Sequence, residues 1–245
     1  MTNFRIAAIA AIALSAVPAS AVTTIFLGQD DGVAPGSAYV NSAAAEAAFK
    51  SAAATYGGVT TETFESATVG FYSPLDLADI VIGYSTQNFG PSLSGVNNTQ
   101  IGTAVYAFNV TDGGTQWLGF PDFFNSAATM TFKAPTNSIG FYITGVQDIF
   151  TSSLTLELLD GSMQTFALPI NTDGGVAYFG LVDSLGFTAV HLSQANYPGY
   201  ADAWGIDDIS YNVVPEAATW AMMIVGFGLV GAAARRRRPL ARMAA

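Results

Sequence analysis

The chain has 245 residues and no cysteine, so disulfides and thiolate chemistry are excluded. Its formal net charge is −10, with 51% hydrophobic and only 11% charged residues, enough apolar content for a sizeable core. Between Val22 and Val214 the only basic residues are Lys50 and Lys133, against seventeen of the eighteen acids; that body therefore carries −15, which repels phosphate backbones and excludes nucleic-acid binding.

In chain order, Arg5, the apolar stretch from Ile6 to Val17, and Ala19, Ser20 and Ala21 have the three regions of a secretory signal. Cleavage is expected after Ala21, which makes residues 1–21 a signal peptide handled by the Sec translocon and Val22 the mature N-terminus. Residues 22–214 then form one extracytoplasmic domain. Its alanine-rich segment from Ser42 to Ala54, closed by Gly57 and Gly58, predicts a helix of three to four turns with Asn41 or Ser42 as N-cap.

The remainder of the body reads as β. Short runs rich in Val, Ile, Thr, Phe and Tyr are expected as strands at Thr60–Ser66, Val81–Tyr84, Thr103–Asn109, Thr115–Phe120, Thr129–Phe132 and Ser138–Thr144, and again at Gly175–Val182, Ala189–Gln194 and Gly205–Asn212. The clearest piece lies between Ser153 and Pro169. There Leu154, Leu156 and Leu158 alternate with Thr155 and Glu157, Asp160 and Gly161 suit a tight turn, and Gln164, Phe166 and Leu168 continue the alternation. Strands of that length with turn formers between them predict a mainly β fold, an antiparallel β-sandwich with one N-terminal helix.

Candidate chemistry is sparse. His191 is the only histidine and alternates with Val190 and Leu192, which places it on the opposite face; one imidazole makes neither a zinc site nor, without a Gly-x-Ser-x-Gly motif, a triad. Glu62, Glu65 and Glu157 are the candidate glutamates for glycosidic cleavage. Glu62 and Glu65 are three apart and face opposite sides of an extended strand, while Glu157 points to water, so no local pair forms and the chain reads as non-catalytic. A structural surface protein is the second reading and a polysaccharide hydrolase or lyase, its carboxylates brought together only by the fold, the third. Asp207 and Asp208 put adjacent carboxylates on opposite faces of a strand, one turned inward among Ile206, Ile209 and Tyr211. That aspartate needs either a calcium ion or backbone amides to compensate it. Asp112-Gly113-Gly114 and Asp173-Gly174-Gly175 read as turns. For stacking on sugar rings the candidates are Trp117, Phe120, Phe123 and Phe124 in one cluster and Tyr197, Tyr200 and Trp204 in another; the second, around Pro198 and Gly199, is the expected exposed patch, with core packing as the alternative.

The chain ends on eighteen residues without a formal charge, Ala217 to Ala234, then Arg235, Arg236, Arg237 and Arg238. At about 1.5 Å per residue a helix of that length spans roughly 27 Å, close to a bilayer's hydrocarbon core. This predicts a transmembrane helix with the arginines and residues 239–245 on the cytoplasmic side.

Val214, Pro215, Glu216, Trp220, Ala221, Met222, Met223, Gly226, Phe227, Gly228 and the arginine run resemble the PEP-CTERM sorting signal of Gram-negative bacteria, in residues 215–238. The match departs at Ala217, where that family has its second proline. The resemblance implies export, an inner-membrane intermediate, recognition by an exosortase, and delivery to the cell surface or extracellular matrix. Sorting of this kind accompanies exopolysaccharide production, so it also implies an extracellular polysaccharide as partner. Within the body, "TETFES", "FKAPTNSIGFYITG", "YFGLVDSLGFTAVHLS" and "WGIDDISY" resemble segments of exported proteins of this type with a jelly-roll or lectin-like β-sandwich. That likeness implies a carbohydrate-binding, structural-calcium architecture and adds Glu65 to Asp207 and Asp208 as the calcium partner.

Overall fold

The computed structural model describes residues 22–84, 95–99, 107–122, 127–146, 151–171, 173–195, 202–212 and 223–231. The expected signal peptide lies outside them. The described chain is mainly antiparallel β, consistent with a β-sandwich. Its elements are β1 (Thr23–Asp31), α1 (Val40–Ala53) with a 3-10 turn at Ala54–Tyr56, β2 (Val59–Glu62), β3 (Leu75–Asp76), β4 (Ile80–Tyr84), β5 (Gly95–Asn97), β6 (Trp117–Asp122), β7 (Ala127–Thr144), β8 (Thr151–Leu158), β9 (Met163–Ala167), β10 (Gly175–Ala195) and β11 (Asp202–Asn212). The hydrogen-bonded order is β5-β6-β11-β7-β10-β8-β9, with β1 on β10, β2 on β11, and β3 joined through β4 to β7.

Two strands organise everything else. β7 and β10, 18 and 21 residues long, pair along most of their length. The sequence suggested two strands in each, because Pro135 and Gly186 interrupt the apolar patterns. Instead the chain bends there: the register slips between Val182 and Phe187 and again between Phe187 and Ala189, and Gly186 takes a φ of 79°. A proline or glycine inside a strand commonly marks such a bulge. The bend divides the sheet into two halves. One contains β1, the first half of β10, the second half of β7, β11, β6 and β5. The other contains β4, the first half of β7, the second half of β10, β8 and β9.

Alternate side chains of both halves meet in one core. Ile139, Phe141, Phe179, Leu181 and Ile206 come from the first half, and Ile82, Met130, Leu154, Leu156, Val190 and Leu192 from the second. The hairpin forms as its alternation predicts, with Leu154 opposite Phe166 and Leu156 opposite Gln164. Two strand expectations need correction. The strand expected at Thr60–Ser66 ends at Glu62, because Phe64 turns with φ 62° to bury its ring in the core. Of Thr103–Asn109, residues 107–109 are described and form no strand, although Ala107 and Phe108 are buried.

The helix packs on the outer side of the first half-sheet. Ser42, Ala45, Phe49 and Ala53 are its buried residues, at the three- and four-residue spacing of one helical face. Phe49 sits over Gly140 and Gly180: a Cβ at Gly180 would come within 2.8 Å of its ring, and one at Gly140 within 2.9 Å. Glycine at both positions creates the slot that the ring fills, beside Tyr142 and Tyr178. The helix start also differs from expectation. Neither Asn41 nor Ser42 is the N-cap; Tyr39 occupies that position without a side-chain cap. The carboxylate of Asp30, on β1, accepts the N–H groups of Asn41 at 3.0 Å and Ser42 at 2.8 Å. Burial pushes the Asp30 carboxyl up, but the Ser42 and Asn41 donors outweigh it and hold the group below its usual value. An acid from a neighbouring strand thus does the work of an N-cap and meets the positive end of the helix dipole.

Phe49→Ala should destabilise the protein by about 3–5 kcal/mol through the cavity it leaves, and Gly180→Ala by about 1–3 kcal/mol through overpacking against the same ring. Urea denaturation midpoints of the two variants and the parent check both values; an unchanged midpoint for Gly180→Ala would mean that the slot has slack.

Candidate functional site

Asp207 and Asp208 lie near the middle of β11, next to a break in register: Asp207 faces Tyr142 on β7, but the following matched pair is Ser210 with Gly140. Asp208 takes a φ of 49°, the left-handed region. This bulge lets Ile206 and Ile209, three residues apart, both enter the core. It also corrects the sequence expectation that the two carboxylates face opposite sides. Both reach the hydroxyl of Thr111, which donates to Asp208 Oδ1 at 2.6 Å and lies 3.4 Å from Asp207 Oδ2. Neither points inward among Ile206, Ile209 and Tyr211. Asp207 is fully buried, on the helix side of the sheet beneath the segment 107–111.

Among the described residues that segment pairs with no strand, and side chains meet its backbone groups. Val110 N–H donates to Asp207 Oδ2 at 2.9 Å and Thr111 N–H to the same oxygen at 3.3 Å. The Tyr39 hydroxyl donates to Val110 O at 2.7 Å. Thr144 Oγ1 accepts the Phe108 N–H and donates to the Phe108 carbonyl. Beyond the turn at Asp112-Gly113-Gly114, where Gly114 N–H closes on Thr111 O, Glu65 Oε1 accepts the N–H groups of Thr115 at 2.8 Å and Gln116 at 2.6 Å. The three acids singled out for calcium therefore converge on one loop, as acceptors for its backbone and for Thr111. Between this loop and residues 34–43 opens a cleft of about 640 Å³, lined by Tyr39, Asn109, Thr111 and Asp112 among others.

The site is strongly acidic. Burial, and then the charge of Asp208, push Asp207 up to about 8, although the amides of Val110, Asp208 and Thr111 pull the other way. Burial also raises Asp208; the Thr111 hydroxyl and Lys50 oppose the rise, and Glu46 and Glu65 add to it. Tyr39 is raised by burial and by Asp208, Glu46, Asp207 and Asp112. Lys50 supplies local positive charge, paired with Glu46 at 2.7 Å, and Glu46 also accepts from the Tyr142 hydroxyl at 2.7 Å. Calcium takes six to eight oxygen ligands. Here Asp207 and Glu65 spend carboxylate oxygens on backbone donors, and a divalent ion would have to displace them. Among the described residues no group of three or more His, Asp or Glu side chains is arranged to hold a metal ion.

Other candidates are dispersed. Trp204 belongs to the core: its ring is buried and stacks on Phe120 with centroids 4.2 Å apart, so it offers no open face to a sugar. Trp117 is buried as well. Tyr197, Tyr200, Phe123 and Phe124 lie outside the described residues. So do Val214, Pro215, Glu216, Ala217, Trp220 and Arg235 to Arg238. Of the expected membrane helix the structure describes residues 223–231, which are helical with Ile224, Phe227 and Leu229 exposed. Among the described residues no helix is long and apolar enough to cross a membrane. His191 sits half-buried on the outer face of the second half-sheet, its Nδ1 3.0 Å from Thr129 Oγ1 and its Nε2 3.5 Å from Glu157. Sequence reasoning missed Asp30, Tyr39, Glu46 and Thr111. Asp30 acts on residues eleven and twelve positions on, and Tyr39, Glu46 and Thr111 each meet a partner more than seventy positions away, separations that local pattern does not signal.

Residues 213–238 carry the PEP-CTERM protein-sorting motif. No curated protein matches the chain. Among solved structures, the K2 cleaved adhesin domain of Lys-gingipain is similar at 13% identity and a TM-score of 0.41, covering 64% of this chain and 100% of that one. The family 11 carbohydrate-binding module of a cellulosomal cellulase of Clostridium thermocellum is similar at 7% identity and a TM-score of 0.33, covering 65% and 98%. A non-crystalline-cellulose-specific carbohydrate-binding module is similar at 7% identity and a TM-score of 0.26, covering 50% and 87%. Likeness at these scores transfers neither ligand nor site.

The raised carboxyl of Asp207 gives stability a defined pH dependence. In the folded chain it holds its proton to about pH 8, whereas the ordinary value is 3.8. Its contribution is therefore fully present below pH 3.8 and is lost as pH rises toward 8. In calcium-free buffer, Asp207→Asn should lose less stability than the parent between those limits, measured by urea denaturation at a series of pH values. Equal slopes would mean that Asp207 is ionised in the folded state.

Proposed function

We propose that this chain is an exported, non-catalytic envelope protein that binds exopolysaccharide or a related glycan. The observation that carries the reading is the sorting motif at residues 213–238, which implies export and a membrane-anchored intermediate before exosortase cleavage. On this reading residues 1–21 are a signal peptide read by the Sec translocon, residues 217–234 span the inner membrane, and Arg235 to Arg238 stay on the cytoplasmic side. The body then reaches the cell surface or matrix. Its acidity suits that setting and disfavours every polyanionic partner not bridged by a cation. Tyr197 and Tyr200 are proposed to stack on sugar rings, and Glu65, Asp207 and Asp208 to take calcium where the compartment supplies it. A structural surface protein without a small ligand is the second reading, favoured by the burial of Trp204 in the core.

Two measurements test this. Replacing Arg235 to Arg238 by alanine should leave the exported protein at its unprocessed size in the producing cell, seen by immunoblot; normal processing would remove the exosortase from the account. The body, residues 22–214, should bind the producing cell's own extracellular polysaccharide saturably. The double change Tyr197→Ala and Tyr200→Ala should weaken that binding by about tenfold, as loss of an anchor aromatic does. Binding abolished by chelator assigns calcium to the site, and binding indifferent to it removes calcium. No binding in either condition leaves the structural reading.

A further inference from the structure

A second groove lies away from the acid-anchored cleft, on the connection between β2 and β3. It has a volume of about 500 Å³, and Glu62, Ser66, Thr68, Tyr72, Pro74 and Asp76 contribute to its lining. Of its lining Tyr72 is 36% exposed, and Val69 and Phe71, on the same segment but outside the groove itself, are 44% and 37% exposed. Three large apolar residues within four positions, exposed beside polar groups, are more than the scattered singles of an ordinary surface.

The segment presenting them is pinned. Phe64 anchors its start in the core, and the Glu62 carboxylate accepts the Phe64 N–H at 2.7 Å. Gly70 exchanges two hydrogen bonds with Val96, of 2.9 and 3.0 Å, and the Tyr72 ring lies beside Gly70. The Phe71 ring packs on Tyr84 with centroids 5.8 Å apart. Leu75 is buried and pairs with Ile82. A loop tied at four points loses little entropy when it binds, so its exposed tyrosine is a preorganised surface.

We infer that this groove is a carbohydrate subsite for uncharged pyranose rings, with Tyr72 as the stacking platform and Glu62 and Asp76 as acceptors for sugar hydroxyls. The inference rests on the glycan reading above and gives it a ligand class. An aromatic face with a few convergent polar groups is the composition of a small-ligand site. A carboxylate has room for several hydrogen bonds, so Glu62 can accept a hydroxyl alongside the Phe64 amide. Charge sets the sugar class. Among the described residues the cation beside this groove is Lys133, which reaches its lining residue Asp76 at 2.7 Å and the Leu77 carbonyl at 2.6 Å. Uronic-acid or sulfated chains would meet two carboxylates on a body of net −15, whereas a neutral glucan meets only acceptors.

The test uses the full chain in detergent micelles, with hydroxyethyl cellulose, glycol chitosan and alginate as probes, read by affinity electrophoresis. The neutral glucan should bind, and alginate should not. Tyr72→Ala should weaken binding about tenfold. Tyr72→Phe, which keeps the ring, should retain most of the affinity, and Tyr56→Ala, an exposed tyrosine outside the groove, should retain all of it. Unchanged melting temperatures confirm that the fold is intact. Glucan binding that survives Tyr72→Ala would overturn the groove while leaving the glycan reading in place. A preference for alginate, or for a peptide library over every sugar, would overturn the ligand class. No retention of hydroxyethyl cellulose would overturn the groove as a neutral-glucan subsite, whereas the glycan reading fails only if the producing cell's own polysaccharide is not bound either.

Discussion

The pairing of β7 with β10 is the constraint on which the rest of the structure depends. Because both strands continue through the bend at Pro135 and Gly186, each belongs to two half-sheets at once, and their opposite halves face a common core. β8 and β4 attach on one side of the bend, β1 and β11 on the other. A sandwich whose layers shared no strand would rely on side-chain packing alone to hold them together; here the backbone ladder does part of that work. The same pairing builds the outer layer, since Gly140 and Gly180 face each other in its register and together make the slot for Phe49.

Acidic side chains serve this fold chiefly as hydrogen-bond acceptors for backbone groups. With Lys50 and Lys133 as the body's only cations, seventeen carboxylates cannot be neutralised in pairs. Where backbone leaves a ladder or a helix begins, a carboxylate receives its N–H groups: Asp30 at the start of α1, Asp207 at residues 110–111, Glu65 at residues 115–116 and Asp183 at Leu185. Two of the four, Asp183 and Asp207, are fully buried, where an unmet charge would be costly. Asp207 meets that cost partly through its amides and partly by keeping its proton to higher pH, while Asp183 takes the Leu185 N–H and the Thr23 hydroxyl. Such capping works over any sequence separation, so it stitches distant segments as salt bridges do in chains richer in lysine.

Most of these bonds join residues well apart in sequence, and that explains what could be read from the sequence. The hairpin of β8 and β9 was legible because alternation and the Asp160-Gly161 turn are local signals, and α1 because its alanines act within one turn. β1 escaped notice: its nine residues mix threonine, glycine and aspartate, and only pairing with β10 makes them a strand. The joining of strands across Pro135 and Gly186 was equally hidden, since both residues read as punctuation until a partner strand carries the ladder past them. At the candidate site the sequence marked Asp207 and Asp208 as unusual, but strict alternation placed them on opposite faces. One left-handed residue, Asp208, changed that geometry. Trp204 shows the converse, an aromatic whose loop-like surroundings suggested exposure and whose β11 position, over Phe120, made it core.

The charge asymmetry links body to tail. On the proposed topology, Arg235 to Arg238 face the anionic headgroups of the cytoplasmic leaflet and are attracted to them. The body of net −15 sits across the bilayer and is repelled by the anionic groups of the outer side, within a screening length of about 8 Å at physiological salt. Both forces act in the same sense, pulling the tail toward the membrane and pushing the body away from it. A sorting protease that cuts between them would release a body that nothing electrostatic holds at the lipid surface. On that topology, what retains it outside the cell is either a surface bridged by divalent cations or a neutral one recognised by shape and hydrogen bonding; for the second, the proposed groove around Tyr72 would offer an aromatic ring and acceptors, with its neighbouring Lys133 already paired.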